Sequence, residues 1–218
     1  MALAGKFITL EGGEGAGKST QIRALTERLE ACGLSVVTTR EPGGSPGSEQ
    51  IRELLVTGAS DRWMPASEAL LNYAARAEHL RTTIVPALEN NQWVLCDRFA
   101  DSTMAYQGIA MGLGADFIEM LYQQIVGTHG PDMTVILDLP PAEGLARAAA
   151  RQEGEDRYEK MDTAFHQTLR QAFLTIARTN PQRCVVIDAS VSPAEVTENI
   201  WQSVRNKFPD PLSKFAGQ

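Results

Sequence analysis

The chain has 218 residues, 43% of them apolar, and carries a formal net charge of −7 from 20 Lys and Arg against 27 Asp and Glu. That length suffices for one α/β domain with a sizeable core. No apolar run approaches the roughly 18 residues of a membrane helix, and a field of that sign repels nucleic acid, so an anionic ligand needs locally gathered Arg and Lys. Cys32, Cys96 and Cys184, and His79, His129 and His166, stand at no metal-ligand spacing. An odd thiol count argues against a disulfide framework, and the N-terminal residues run into an apolar segment without a secretory or transit pattern. Buried thiols in a reducing cytoplasm are therefore expected, with neither a membrane nor a nucleic acid as partner.

The first element is an apolar strand over Lys6–Glu11. Gly12, Gly13, Glu14, Gly15, Ala16, Gly17, Lys18 and Ser19 follow it and match G-x-x-x-x-G-K-[ST]. A helical pattern then leads out through Gln21, Ile22, Leu25 and Leu29. Strand, glycine turn and helix in that order make a phosphate cradle. The turn's N–H groups wrap a triphosphate and the helix offers its positive end. Lys18 is expected at the β- and γ-phosphates and the Ser19 hydroxyl at Mg²⁺.

A second strand, Ser35–Thr39, runs into Arg40-Glu41-Pro42-Gly43-Gly44. A long helix is expected from Ala66 to about Glu89, bent near Pro86. Strands at Trp93–Asp97, Thr134–Leu139 and Cys184–Asp188 complete a set of five. Helices are expected from about Pro141 and over Glu159–Arg178, with an exposed mobile loop between them at 152–157. Residues 208–218 lack periodicity and are expected to fray. Several strands are continuous apolar runs alternating with helices. That pattern implies a parallel sheet covered on both faces, with ligands at its carboxyl edge.

Two strands, Val94–Asp97 and Val135–Asp138, end in a carboxylate that could stand beside Mg²⁺. Arg98 favours Asp97, because a guanidinium beside the metal suits a phosphate site. Arg147, Arg151 and Arg157 form a second basic group, expected as a lid that brings charge over the γ-phosphate. Neither the guanine-specific N-K-x-D element nor a transporter signature is present. A small-molecule kinase fits better than a signalling GTPase or a nucleotide-switched binding module.

Over about residues 6–205 the chain resembles thymidylate kinase. The resemblance rests on Gly12–Ser19, Thr39–Gly44, Ala74-Ala75-Arg76, Asp97-Arg98-Phe99, Ala105-Tyr106-Gln107-Gly108 and Asp156-Arg157-Tyr158-Glu159. It implies a P-loop nucleoside-monophosphate-kinase-like three-layer sandwich with a five-stranded parallel sheet flanked by helices. The whole chain, 1–218, would be one domain, with the P-loop at 12–19 and a lid at about 148–159. The implied reaction is ATP plus dTMP to ADP plus dTDP, with Mg²⁺, in a homodimer.

The implied catalytic residues are Lys18, Glu14, Arg98, Arg151 and Arg157. ATP would be held by residues 12–19, by Thr20 and by Arg147, with Asp188-Ala189-Ser190 at the adenine. Ser19 and Asp97 would serve the metal. Glu41 and Pro42 would border the dTMP pocket, Arg52 and Arg98 hold its phosphate, and Tyr106 line the sugar. Arg76, Thr103 and Gln107 would surround the thymine, with Ser102 as the alternative hydroxyl to Thr103. Gly15 stands where some members place an arginine. Many members also stack a Phe on thymine four residues before the matched arginine. Here that residue is Asn72, with Tyr73 the adjacent aromatic, so the stacking group is open between Tyr73 and a differently built pocket.

Overall fold

The computed structural model describes residues 5–150 and 157–212. Five strands form one parallel sheet in the order β2-β3-β1-β4-β5: β1 Phe7–Gly12, β2 Val36–Arg40, β3 Trp93–Asp97, β4 Met133–Asp138 and β5 Cys184–Asp188. Each lies within one residue of its expected bounds; the covered central strands β1, β3 and β4 read as apolar runs, while the edge strands β2 and β5 are only partly buried.

Side chains alternate across the sheet. Ile8, Leu10, Trp93 and Leu95 pack beneath α1 (Lys18–Ala31) and α9 (Pro193–Lys207). Phe7, Val94 and Cys96 face the other way, onto α3 (Pro65–His79) and α6 (Ala115–Ile125). Ile136 meets α8 (Thr163–Thr179) on that second face. The result is the expected helix–sheet–helix sandwich.

Local chemistry sets the helix bounds. α2 (Pro46–Val56), α3, α7 (Pro141–Ala149) and α9 carry Pro in the first turn, where no N–H is needed. Ser192 and Glu195 close a capping box on α9. The expected helix from Glu159 instead starts at Thr163, because the Asp162 carboxylate accepts from Phe165 N at 2.7 Å and caps it there.

The expected bend near Pro86 is a wide π-helical turn. α3 passes through Leu80–Ile84 in that form before α4 (Val85–Glu89). The extra residue per turn accommodates a proline ring that has no N–H to give. A second wide turn, Met104–Ala110, follows α5 (Ala100–Thr103).

The expected fraying from 208 is corrected in part. Pro209–Leu212 forms a short helix, α10, and Phe208 packs edge-on against Trp93 with ring centroids 5.3 Å apart. Phe208 and Leu212 are buried in the core. Residues 213–218 lie outside the described residues.

Candidate active site

All strand ends at one edge of a parallel sheet point the same way, and here three adjacent ends build the site. Leu10 in β1 is level with Asp97 in β3, and Asp97 is level with Arg40 in β2. A cleft of about 480 Å³ runs along this edge from Lys18 to Gln107, within the usual range for ligand pockets.

At one end the P-loop joins β1 to α1. Gly17 precedes the helix in the left-handed region, φ 90°. Gly15, φ 66°, admits no side chain, since a Cβ would collide with the carbonyl of Gly144 in α7. A basic side chain cannot enter the site from position 15. Lys18 folds back on the loop, its Nζ donating to Gly13 O at 3.0 Å and Gly12 O at 3.3 Å. Burial and the Arg98 charge push its ammonium down to about 8, against the pull of Asp97, Glu14 and Glu11. Thr20 is exposed in the first turn of α1.

Ser19 Oγ donates to Asp97 Oδ2 at 2.8 Å. Asp138, the other candidate, is held by Arg170, with Nε to Oδ1 at 2.6 Å and Nη2 to Oδ2 at 2.8 Å. Asp97 is therefore the carboxylate that meets the P-loop.

Arg98 occupies the left-handed region, φ 69°, which turns its side chain back across the loop. Its Nη1 donates to Gly12 O at 2.9 Å and to Ser102 Oγ at 3.2 Å, and its Nη2 to Glu14 Oε1 at 3.0 Å. The guanidinium lies over the Tyr106 ring at 5.1 Å, and the Tyr106 hydroxyl donates to Glu14 Oε1 at 2.5 Å. Burial alone would raise the Glu14 carboxyl, but Arg98, Lys18 and the Tyr106 hydroxyl outweigh it and hold it at about 2.

Glu11, fully buried, braces this turn. It accepts from Phe99 N at 2.7 Å and from Ser102 Oγ at 2.5 Å. Burial and nearby Asp101 push its carboxyl well above the ordinary range, against the Ser102 hydroxyl and Arg98. In the sequence Glu11 is marked only as a carboxylate inside an apolar strand, itself an anomaly.

At the far end Arg76 donates from Nε to Glu41 Oε2 at 2.7 Å and from Nη2 to Thr103 Oγ1 at 3.1 Å. Its Nη1 is buried and has no partner. Glu41 also meets His79 Nδ1 at 3.0 Å. Gln107 Nε2 donates to Glu68 Oε1 at 2.6 Å. Arg52 Nη1 donates to Pro42 O at 2.6 Å, and Arg52, Pro42, Asn72 and Gln107 line the cleft. The two adjacent hydroxyls separate: Thr103 serves Arg76, whereas Ser102 serves Glu11 and Arg98.

Two expectations change. Tyr73 does not line the cleft. It is buried beneath Arg76, whose guanidinium lies 4.5 Å from its ring, and its hydroxyl donates to Ile118 O at 3.3 Å. Asn72, four residues before Arg76, lines the cleft with it, and Tyr73, about 100° further round α3, does not.

Arg157 is not a lid arginine. It is wholly buried, donating to the carbonyls of Ala59 (3.0 Å), Leu55 (3.2 Å) and Ser60 (3.0 Å), and it pairs with Glu68 Oε2 at 2.6 Å. Five guanidinium N–H groups suit a site that must satisfy several carbonyls at once.

Arg147 Nη1 donates to Ala189 O at 3.2 Å, so it joins α7 to the turn after β5. In that turn Asp188 Oδ1 accepts from Ser190 N at 2.8 Å and from Ser190 Oγ at 2.6 Å. Arg151 and the rest of 151–156 lie outside the described residues.

No helix among the described residues is long and apolar enough to cross a membrane. A family model described as thymidylate kinase matches residues 10–200. A curated thymidylate kinase of Rhodopseudomonas palustris is 53% identical over 213 residues, covering 96% of this chain and 93% of that protein. One from Caulobacter vibrioides is 56% identical over 196 residues, covering 90% and 94%. Among solved structures, the thymidylate kinase of Ehrlichia chaffeensis aligns with a TM-score of 0.74 at 34% identity, covering 92% of this chain and 99% of that one.

Proposed function

Because this chain belongs to the thymidylate kinase family and transfers the γ-phosphate of ATP to dTMP, giving ADP and dTDP, we propose that the cleft from Lys18 to Gln107 binds both substrates end to end. The position of Arg98 carries this reading. One guanidinium reaches the Gly12 carbonyl of the P-loop and Glu14 while lining the cleft that continues to Arg76. It can therefore hold the acceptor phosphate against the donor's γ-phosphate.

The P-loop, Gly12–Ser19 with Thr20 behind it, wraps the ATP phosphates. Lys18 leaves the carbonyls of Gly12 and Gly13 for the β- and γ-oxygens, and Arg147 with the Asp188–Ser190 turn borders the adenine. Arg98 and Arg52 clamp the dTMP phosphate, with Glu14 holding Arg98 in place until that phosphate competes for it. Tyr106, Glu41 and Pro42 wall the sugar side. Arg76 and Gln107, supported by Thr103, read the thymine over Asn72. The unpartnered Nη1 of Arg76 supports that assignment, because a buried donor left unpaired costs about 1–3 kcal/mol until a ligand accepts from it. Arg151 supplies the lid charge.

Ser19 and Asp97 fit Mg²⁺. Both offer oxygen, and no cluster of three or more His, Cys, Asp or Glu suited to a metal exists among the described residues. The ion's other positions would then fall to phosphate and water. When bound, Mg²⁺ neutralises charge on the β- and γ-phosphates. The protein's own part is positioning and charge, since phosphoryl transfer needs little covalent chemistry from it.

We assign the chain to the cytoplasm as one domain, on its three free thiols, and to a homodimer. α3 and α6 pack together and leave Leu70 and Met120 half-exposed, which supports pairing through those helices. Turnover of a panel of nucleosides and nucleoside monophosphates with ATP and Mg²⁺ tests the substrate reading. dTMP should be the favoured acceptor and Arg98→Ala should remove its turnover. Preference for an unphosphorylated deoxynucleoside would contradict the Arg98 clamp.

A further inference from the structure

Glu68 sits in the first turn of α3 and is wholly buried. Its Oε1 accepts from Gln107 Nε2 at 2.6 Å and from the Tyr158 hydroxyl at 2.8 Å. Its Oε2 lies 2.6 Å from Arg157 Nη2. Arg157 is itself fixed by the carbonyls of Leu55, Ala59 and Ser60, so the carboxylate is held by hydrogen bonds at Oε1 and by the ion pair alone at Oε2, which has no hydrogen-bond partner.

An ionised carboxylate only accepts hydrogen bonds. Gln107 must therefore offer it the NH₂ group, and the amide oxygen must turn the other way. The orientation of a glutamine amide follows from its partners, and here the partner admits one orientation. Gln107 lines the cleft, and its Oε1 accepts no hydrogen bond from a described residue. Arg76 lines the same cleft, and its buried Nη1 is a donor without a partner.

We infer that Glu68 is a positioning residue that locks the Gln107 amide with Oε1 toward the base, and thereby selects a thymine- or uracil-type edge over a cytosine edge. This rests on the reading above that Arg76 and Gln107 face the base. A 4-keto pyrimidine presents an N3–H donor beside an O4 acceptor, which complements an acceptor at Gln107 and a donor at Arg76. Cytosine presents an N3 acceptor beside an N4 amino donor, so both pairings are wrong. The 5-methyl group plays no part, so thymine and uracil are treated alike by this device.

Glu68→Gln replaces the pure acceptor by a group that can donate or accept, and the Gln107 amide becomes free to turn. The experiment measures the dTMP KM and the inhibition constant of dCMP against dTMP, with ATP and dUMP as internal references. The preference for dTMP over dCMP should fall by about 10–100-fold, with the dTMP-to-dUMP ratio and the ATP KM unchanged. A folded Glu68→Gln variant in which dTMP and dCMP weaken in parallel would show a merely structural residue and overturn the inference. Gln107→Leu, measured alongside, separates the two levels. An unchanged dTMP KM there overturns the base-pocket reading and this inference with it.

Should Glu68→Gln fail to fold, hydrogen exchange on the unaltered protein decides. With ¹⁵N-labelled glutamine side chains, the amide signal that disappears in Gln107→Leu should exchange slowly before any ligand is added. Exchange as fast as that of exposed glutamines would overturn the lock.

Discussion

Ser19 at the start of α1 and Asp97 at the end of β3 are joined by a 2.8 Å hydrogen bond across the carboxyl edge of the sheet. Neighbouring strands bring together residues 78 positions apart in the chain. Both groups offer oxygen to a hard cation beside the phosphate cradle. Asp97→Asn should raise the Mg²⁺ concentration for half-maximal rate by about 10–100-fold and leave the dTMP KM unchanged. Rate against free Mg²⁺ at fixed ATP checks this.

Burial of the Lys18 ammonium works against stability. Its folded-state value, about 8, lies below the ordinary 10.5. Between those values the unfolded chain binds the proton more tightly, so this group makes stability rise as pH climbs from about 8 to 10.5. Below about pH 8 its charge is a cost to the folded state. Lys18→Met should therefore be at least as stable as the parent protein at pH 7, with that advantage fading above about pH 10.5, while kcat falls by orders of magnitude. Urea unfolding across pH, together with steady-state rates, tests both halves.

Arg157 should behave as a structural cation. Arg157→Ala leaves Glu68 charged and buried without its partner and strips three carbonyls of their donor. Breaking such a pair costs about 3–5 kcal/mol of folding stability. Arg151→Ala, by contrast, should lower kcat with little change in unfolding midpoint. The two variants compared by denaturant titration and by turnover distinguish a buried anchor from a lid residue.

These cases also mark what the sequence makes legible. The sheet reads directly from its apolar runs, and the phosphate cradle from its glycine spacing. The four-residue interval to Arg76 puts Asn72 on the cleft, whereas Tyr73, the aromatic expected there, lies buried beneath Arg76. The choice between Asp97 and Asp138 turns on Arg170, which claims Asp138 from another helix. No local pattern shows that pairing. Arg157 looks like a mobile charge because it follows a polar, glycine-containing stretch, yet its partners are carbonyls about a hundred positions earlier. Phe208 sits in a stretch without periodicity and is nevertheless buried, because Trp93 supplies the facing ring. Glu11 is visible as an acid inside an apolar strand, whereas Glu68 is an ordinary first-turn acid of α3; the meaning of both comes from the groups that the fold sets around them.

The central claim is that one cleft holds ATP at the P-loop and dTMP at Arg76 and Gln107. Steady-state kinetics of Gln107→Leu, with each substrate varied in turn, tests it most directly. Losing one buried hydrogen-bonding group should raise the dTMP KM by roughly 10–100-fold and leave the ATP KM unchanged. A raised ATP KM with an unchanged dTMP KM would place the two substrates at opposite ends from those assigned here and contradict the account.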